Sequence, residues 1–174
     1  MKKLVKLMAV SILILSCWQT AIAQDSKEDK KAAKAAKVKG MVDSVHYVFK
    51  ATNARPQRGG SKQLTSDYDV RVVKDTVKTF LPYFGRSFVA PAPGSTEGGI
   101  KFTTTNFSYT STQNKKGGWD IVIKPKDKNV TDWRDVDQLT FNISTSGYAT
   151  LRVISSNRDA ISFDGYIESA KAHK

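Results

Sequence analysis

The side chains best suited to hold a ligand are three arginines and a tyrosine. Arg55 and Arg58 lie in a basic stretch that also contains two glycines, whereas Tyr83 and Arg86 lie in an aromatic stretch. A guanidinium group can bind a carboxylate through two parallel hydrogen bonds, and an aromatic face can stack on a ring. These four residues are candidate contacts for an anionic or carbohydrate ligand. The competing interpretation, which we favour, is that the aromatic side chains of 83–88 belong to the core around a bend at a glycine.

Groups for metal binding or nucleophilic catalysis are scarce. The only histidines are His46 and His173, and the only cysteine is Cys17. A zinc site needs three or four such ligands, and the sequence lacks both the Gly-x-Ser-x-Gly motif and a phosphate-binding loop. His46 falls on the polar side of a predicted strand, which favours an exposed histidine over a catalytic base. We therefore expect no metal, no cofactor and no catalytic residue.

Carboxylates give two weaker signals. Three aspartates at 132–137 form an acidic stretch, but their spacing does not match a calcium-binding EF-hand loop, so a solvated turn is favoured. A carboxylate-based hydrolase would need two acids held about 5 to 10 Å apart in a cleft. Asp67, Asp69 and Asp164 are the residues that would have to supply them.

The amino terminus has the features of an export signal. Three lysines precede an almost wholly apolar run at 7–15, and Ala21 and Ala23 supply the small residues that a signal peptidase reads. We expect cleavage after Ala23, which would remove residues 1–23. The alternative is a lipoprotein leader in which Cys17 is lipidated, and only then would the protein be held at a membrane. We expect the mature chain in the periplasm, at the outer membrane or outside the cell.

The chain is strongly basic, with 28 Lys and Arg residues against 16 Asp and Glu residues and a formal net charge of +12. Removal of the three leader lysines would lower the charge to +9. Basic and acidic residues are interspersed along the body and the chain carries an export signal, so we expect no nucleic-acid partner. Ser44 and Thr76 each stand between an aspartate and a valine, a short pattern that some envelope O-glycoproteins modify.

Hydrophobic periodicity predicts the architecture. Residues 24–43 are rich in lysine and alanine, with apolar residues at helical spacing, which predicts a short helix. From 44 to 168, apolar and polar residues alternate in segments separated by short Gly, Asn, Asp or Ser clusters, and parallel strands would need crossover helices that this spacing does not allow. The sequence therefore predicts an all-β domain: an antiparallel β-barrel or β-sandwich of about eight to nine strands. A tail follows at 169–174, and Asp164-Gly165 predicts a bulge in the last strand.

Four phrases of the sequence resemble a known family. They are SDYDVRV at 66–72, LPYFGRSF at 81–88, GGIKF at 98–102 and SSNRDAISFDGYIE at 155–168. Together they resemble the bacterial envelope and secreted proteins grouped as domain of unknown function 4251, over nearly all of the chain that follows the leader. The resemblance implies an exported protein with a Lys/Ala-rich helical lead-in and a β-rich body, and it implies no activity.

These observations favour a non-catalytic envelope protein that works by binding or as structural support. Its partners would be envelope proteins, glycans or a small ligand. One alternative is a barrel-type carrier of a small hydrophobic or anionic ligand, which would need an interior pocket. The other alternative is the carboxylate-based hydrolase.

Overall fold

The computed structural model describes residues 28–89, 99–127 and 136–170, which form one helix and ten strands. The helix, α1, covers 28–43. The strands are β1 (Tyr47–Pro56), β2 (Lys62–Gln63), β3 (Asp69–Val73), β4 (Thr76–Leu81), β5 (Ile100–Thr104), β6 (Phe107–Gln113), β7 (Trp119–Pro125), β8 (Gln138–Ile143), β9 (Tyr148–Ile154) and β10 (Ile161–Ser169). The leader with its two processing sites, most of the acidic stretch and His173 lie outside the described residues. Among the residues described, no helix is both long and apolar enough to cross a membrane.

Helix α1 is fixed to the strands by its last turns. Its alanine-rich and lysine-rich start is exposed, whereas Val38, Met41 and Val42 are buried in the core. Their spacing places them on one face of the helix. The Ser44 hydroxyl donates to the Gly40 carbonyl at 2.7 Å, which satisfies one of the carbonyls left open at the helix end. The predicted short helix is confirmed.

The strands form an antiparallel meander that nearly closes into a barrel. Their order is β5-β4-β3-β1-β10-β9-β8-β7-β6, with the short β2 beside β1. Every neighbouring pair is antiparallel, so β5 and β6 at the two ends of this order run in the same direction. Only residues 105–106 separate them, and they therefore act as one bent strand whose first half pairs with β4 and whose second half pairs with β7. The predicted all-β antiparallel domain is confirmed, and of the two architectures that the sequence left open it is the barrel.

The bend between β5 and β6 is held by a buried threonine. The Thr104 hydroxyl lies 2.7 Å from Oδ1 of Asp127 and 3.2 Å from the Asn106 carbonyl oxygen. The Asn106 carbonyl also accepts a hydrogen bond from the N–H of Lys126 at 2.8 Å. The end of β5 is thereby joined to the segment that follows β7, which brings the two ends of the strand order together.

Aromatic and branched side chains fill the barrel interior. Alternate residues point inward, as in β7, where Trp119, Ile121 and Ile123 are buried while their neighbours are not. The ring of Phe141 meets the rings of Tyr47 and Phe49 edge-on, with centroids 6.2 and 5.7 Å apart. Such edge-to-face contacts are a favoured packing of aromatic rings. The inward positions that could have lined a carrier's interior pocket are therefore occupied by core side chains.

The irregularity predicted at Asp164-Gly165 is present, but the extra residue lies on the partner strand. Thr52 of β1 is unmatched, because Ala51 pairs with Gly165 and Asn53 pairs with Asp164. A Cβ atom on Gly165 would lie 1.9 Å from the Lys50 carbonyl oxygen, so only glycine allows β1 and β10 to approach this closely. The sequence signal at Gly165 therefore marks the close approach of two backbones beside a bulge.

Candidate functional site

Of the predicted ligand-binding arginines, Arg55 is paired with a carboxylate, whereas Arg58 is exposed. Nη2 of Arg55 lies 2.8 Å from Oδ1 of Asp164, and the Thr150 hydroxyl donates to the same oxygen at 3.0 Å. The Arg55 guanidinium group is thus already paired with a carboxylate across the β1 and β10 strands. Arg58 is exposed in the loop that follows β1.

Tyr83 and Arg86 lie in a segment that fastens the end of β4 to the connection between β9 and β10. The Tyr83 hydroxyl lies 2.9 Å from the Arg86 carbonyl oxygen and 3.0 Å from the Asp159 carbonyl oxygen. Backbone hydrogen bonds join Asp159 N–H to Arg86 and Phe88 N–H to Asn157. Two of the family phrases, at 81–88 and 155–168, therefore meet and hold each other in place.

The ring of Tyr83 is covered on one side by a buried arginine. The guanidinium carbon of Arg158, a residue only 2% exposed, lies 4.4 Å from the ring centroid. Burial raises the pKa of Tyr83; the charge of Asp159 adds to the increase, while the charge of Arg158 opposes it. A Cβ atom at Gly85 would lie 2.5 Å from the Tyr83 hydroxyl oxygen, so the glycine makes room for this ring. Tyr83 therefore helps to hold the segment at 81–88 against the segment at 155–168.

The expectation that the aromatic residues of 83–88 belong to the core is only partly correct. Tyr83 and Phe84 are half-buried against the core, and Nζ of Lys62 lies 5.3 Å from the Phe84 ring centroid. Phe88, in contrast, is 65% exposed. It departs from the prediction because the chain after Leu81 leaves the sheet and is held by backbone hydrogen bonds, which leave the Phe88 side chain pointing outward.

The remaining candidates have local partners. The Ser44 hydroxyl is used at the helix end, and the Thr76 hydroxyl lies 3.2 Å from Oδ1 of Asp75 in the turn between β3 and β4. His46 is exposed, as expected, and its Nε2–H donates to the Ala170 carbonyl at 2.9 Å. In the described ranges, no group of three or more His, Cys, Asp or Glu side chains could hold a metal ion.

A groove on the outer face of the barrel was not found from the sequence. This outer groove has a volume of about 220 Å³, and it is lined by Lys50, Ala51, Thr52, residues 64–68 and Tyr166.

The bulge and the segment after β2 build the outer groove together. Residues 64–68 run beside β1, where Leu64 N–H donates to the Thr52 carbonyl at 2.8 Å and Ala51 N–H donates to the Tyr68 carbonyl at 3.0 Å. Thr52, the extra residue of the bulge, is exposed, and its hydroxyl donates to the Asp164 carbonyl at 3.0 Å. Bulges of this kind often redirect side chains next to functional sites. The groove therefore depends on the irregular part of the β1 and β10 pairing.

A row of side chains in register crosses six strands at the level of the outer groove. Successive members are paired across neighbouring strands: Lys101, Phe80, Asp69, Lys50, Tyr166 and Tyr148. We call this set the outer row. Tyr148 and Tyr166 are 71% and 41% exposed, respectively. Rings this exposed on the outward face of a sheet leave aromatic surface open to solvent beside the groove.

Phe80, the third aromatic member of the outer row, is already in contact with two other side chains. The ring of Phe80 stacks on that of Tyr68, with centroids 5.5 Å apart, and Nζ of Lys101 lies 4.9 Å from the Phe80 ring centroid. Such cation–π and stacking contacts hold side chains in one orientation. Tyr68, which also lines the groove, is thereby held in place by Phe80.

Lys50, which lines the outer groove, is held in an ion pair. Nζ of Lys50 lies 3.1 Å from Oδ2 of Asp69, and both side chains are about three-quarters buried. Partial burial lowers the pKa of Lys50, but the hydrogen bond to Asp69 and the charges of Asp69, Asp67 and Glu168 raise it by more, so the net pKa lies above its ordinary value. Lys50 is therefore held in its charged form by acids that surround it.

The second concavity, the helix cleft, lies between the end of α1 and β6. It measures about 390 Å³ and is lined by Lys39, Val42, Asp43, Val45, Tyr109, Ser111, Gln113 and Trp119. Lys39 and Asp43 form an ion pair one turn apart on the helix. The cleft thus combines apolar side chains from both walls with an exposed ion pair at its rim.

Two tyrosine hydroxyls are buried close to each other, those of Tyr47 in the core and of Tyr109 in the lining of the helix cleft. Within the described residues, neither the Tyr47 hydroxyl nor the Tyr109 hydroxyl has a hydrogen-bond partner of good geometry. Burial raises the pKa of Tyr47 well above its ordinary value, and the nearby Tyr109 hydroxyl adds to the increase. Burial also raises the pKa of Tyr109, with Tyr47 opposing and Asp43 adding to the rise. Unpaired buried hydroxyls are rare, and they cost stability.

Comparison with known proteins identifies the family. The family model described as a domain of unknown function (DUF4251) matches residues 29–167. A crystal structure of a DUF4251 family protein from Bacteroides eggerthii DSM 20697 has a similar fold, with a TM-score of 0.56 and 15% sequence identity, covering 80% of this chain and 91% of that chain. No curated protein matches the sequence. Because the family model spans most of the sequence, the chain belongs to the DUF4251 family.

Proposed function

We propose that the protein is an exported, non-catalytic binding module of the cell envelope, and that its ligand contacts the outer groove. The observation that supports the binding role is the outer groove itself. Its lining includes Lys50, which is paired with Asp69, and exposed tyrosine rings lie beside it. The amino-terminal features support the export. Attachment through a lipid at Cys17 remains the alternative form of the same proposal.

Export is tested by cell fractionation and by the mass of the mature protein. Cleavage after Ala23 gives a chain that begins at Gln24, whereas lipidation gives a heavier chain that begins at Cys17. Recovery of the full-length chain in the cytosol with Met1 in place would refute export.

Binding is tested by sedimentation of the purified protein with washed cell-envelope fragments. Ser66→Trp places an indole at the exposed rim of the outer groove, and Thr112→Trp makes the same change on exposed β6 as a matched control. We expect the Ser66 variant to stay in the supernatant and the Thr112 variant to sediment like the wild type. Equal sedimentation of all three proteins would show that the outer groove is not the binding surface.

The helix cleft favours a second candidate function, the carriage of a small hydrophobic or anionic ligand. Its volume of about 390 Å³ falls within the usual range of small-molecule sites, about 300–1,000 Å³. Anilinonaphthalene sulfonate, which is both aromatic and anionic, is a suitable fluorescent probe. We expect the folded protein to bind this probe and Ser111→Trp, which fills the cleft, to abolish the binding; unchanged fluorescence in the variant would exclude the cleft as a carrier site.

A further inference from the structure

The exposed tyrosines extend the outer groove into a longer strip. Tyr166 lines the groove, and Tyr148 is its direct partner on the neighbouring strand. Adjacent strands lie about 4.8 Å apart, so the two side chains stand next to each other on the outer face. A ligand that occupies the groove and continues past Tyr166 would therefore meet a second ring at Tyr148.

The rest of the groove lining is rich in hydrogen-bonding groups. Thr52, Thr65 and Ser66 contribute exposed hydroxyl-bearing residues, and Asp67 contributes an exposed carboxylate. A hydroxyl can both donate and accept, and an ionised carboxylate accepts strongly. This lining is complementary to a ligand that carries many hydroxyl groups of its own.

The local charge opposes an anionic ligand. Lys50 and Asp67 line the groove and Asp69 pairs with Lys50, so these three side chains together carry a net charge of −1 although the whole chain carries +12. Its lysine is already paired with Asp69. A phosphate or carboxylate in the groove would face the Asp67 carboxylate, and Lys50, the cation of the lining, would have to leave its ion pair with Asp69.

The size of the groove limits what can enter it. Its volume of about 220 Å³ is below the range of about 300–1,000 Å³ that is usual for drug-sized ligands. One ring of a chain-like ligand suits such a space, with the next ring lying on Tyr148. Aromatic faces carry partial negative charge and attract the C–H bonds of an apolar ring face, a weak contact that exposed tyrosines can provide.

We infer that the outer groove, together with Tyr166 and Tyr148, binds a neutral saccharide chain of at least two rings. This inference rests on the proposed binding function and names the ligand class for the same site. Stacking supplies the contacts to ring faces, while the threonine, serine and aspartate side chains supply the contacts to sugar hydroxyls.

Titration calorimetry with neutral oligosaccharides tests the inference. The probes are hexamers built from glucose, mannose, galactose, xylose or N-acetylglucosamine, and galacturonate hexamers serve as the charged counterpart. We expect at least one neutral hexamer to bind and Tyr166→Ala to weaken it about tenfold, a factor that corresponds to about 1.4 kcal/mol. Tyr166→Phe keeps the ring and should bind nearly as the wild type does.

Control variants separate a binding role from a structural one. Phe88→Ala removes an exposed aromatic side chain outside the outer row and should leave affinity unchanged. Asp67→Asn replaces a strong acceptor in the groove lining by a weaker one, and it should weaken neutral-sugar binding. If the Tyr166 and Tyr148 rings serve only the pairing of β9 with β10, their replacement by alanine lowers the melting temperature without changing affinity, and the inference is wrong.

Failure of the inference is distinguishable from failure of the proposed function. If no hexamer binds but sedimentation with envelope fragments still depends on the outer groove, the ligand class is wrong and the binding function stands. Preferential binding of the galacturonate hexamer would likewise overturn the neutral ligand. If sedimentation does not depend on the groove either, both the saccharide and the binding function are refuted.

Discussion

Replacement of Gly165 by alanine should be among the most damaging single changes to this barrel. The added Cβ would lie 1.9 Å from the Lys50 carbonyl oxygen and 2.9 Å from its carbonyl carbon, both of which are backbone atoms. Ordinary contact begins near 3.4 Å, so β1 and β10 would have to separate by about 1.5 Å at this point. A side-chain rotation cannot relieve the clash.

The free-energy loss follows from what that separation breaks. About two backbone hydrogen bonds between β1 and β10 would be stretched past useful length, at about 1 kcal/mol each, and residual crowding would add about 1 kcal/mol or more. We expect a loss of about 3 kcal/mol in the free energy of unfolding. For a chain of this size, the melting temperature should fall by about 6–12 °C.

Gly40→Ala is the matched control for this experiment. Gly40 lies on the exposed side of α1, and a Cβ there would have nothing within 4 Å. Alanine is favoured over glycine inside a helix by about 1 kcal/mol, so this variant should be slightly more stable than the wild type. Urea and thermal unfolding followed by circular dichroism measure both changes. A Gly165→Ala variant within about 0.5 kcal/mol of the wild type, which is the usual range of harmless surface changes, would refute the close approach of β1 and β10.

Further predictions concern three polar side chains. Tyr83→Phe should lower the free energy of unfolding by about 1 kcal/mol in urea titrations, because it removes the hydroxyl proton that the Arg86 and Asp159 carbonyl oxygens share. Arg55→Ala should change it by less than about 1 kcal/mol at low salt and by less still at high salt, because the ion pair with Asp164 is largely exposed. Tyr47→Phe should be neutral or stabilising at pH 7, because it removes an unpaired buried hydroxyl. Burial raises the folded-state pKa of Tyr47 above 10, so the unfolded chain loses this proton first; wild-type stability should fall as pH rises above 10, and the fall should be smaller in Tyr47→Phe.

The sequence predicts the strands and the core well because both depend on local alternation. Each barrel strand has one buried face, so apolar residues recur every second position, as at Trp119, Ile121 and Ile123. The choice between barrel and sandwich could not be made in this way. It depends on the bend at 105–106, where one strand changes its partner from β4 to β7, and no local pattern encodes that change.

The candidate site was harder to predict than the fold. Periodicity does place Tyr148 and Tyr166 on the outward faces of their strands, between inward residues such as Ala149 and Ile167. Two large aromatic residues at outward positions could therefore have indicated an exposed binding surface from the sequence alone. Their pairing across β9 and β10 was not readable, because the register depends on turn lengths and on the bulge at Thr52, which lies more than 90 residues away along the chain.

The pairing of β1 with β10 sets the order of events in folding. Tyr47 at the start of the barrel pairs with Ser169 at its end, and His46 meets the Ala170 carbonyl beside them. Contacts between such distant parts of a chain form slowly, because a long loop must close first. The barrel therefore cannot close until its last strand is available, and a chain truncated before β10 leaves one edge of β1 unpaired.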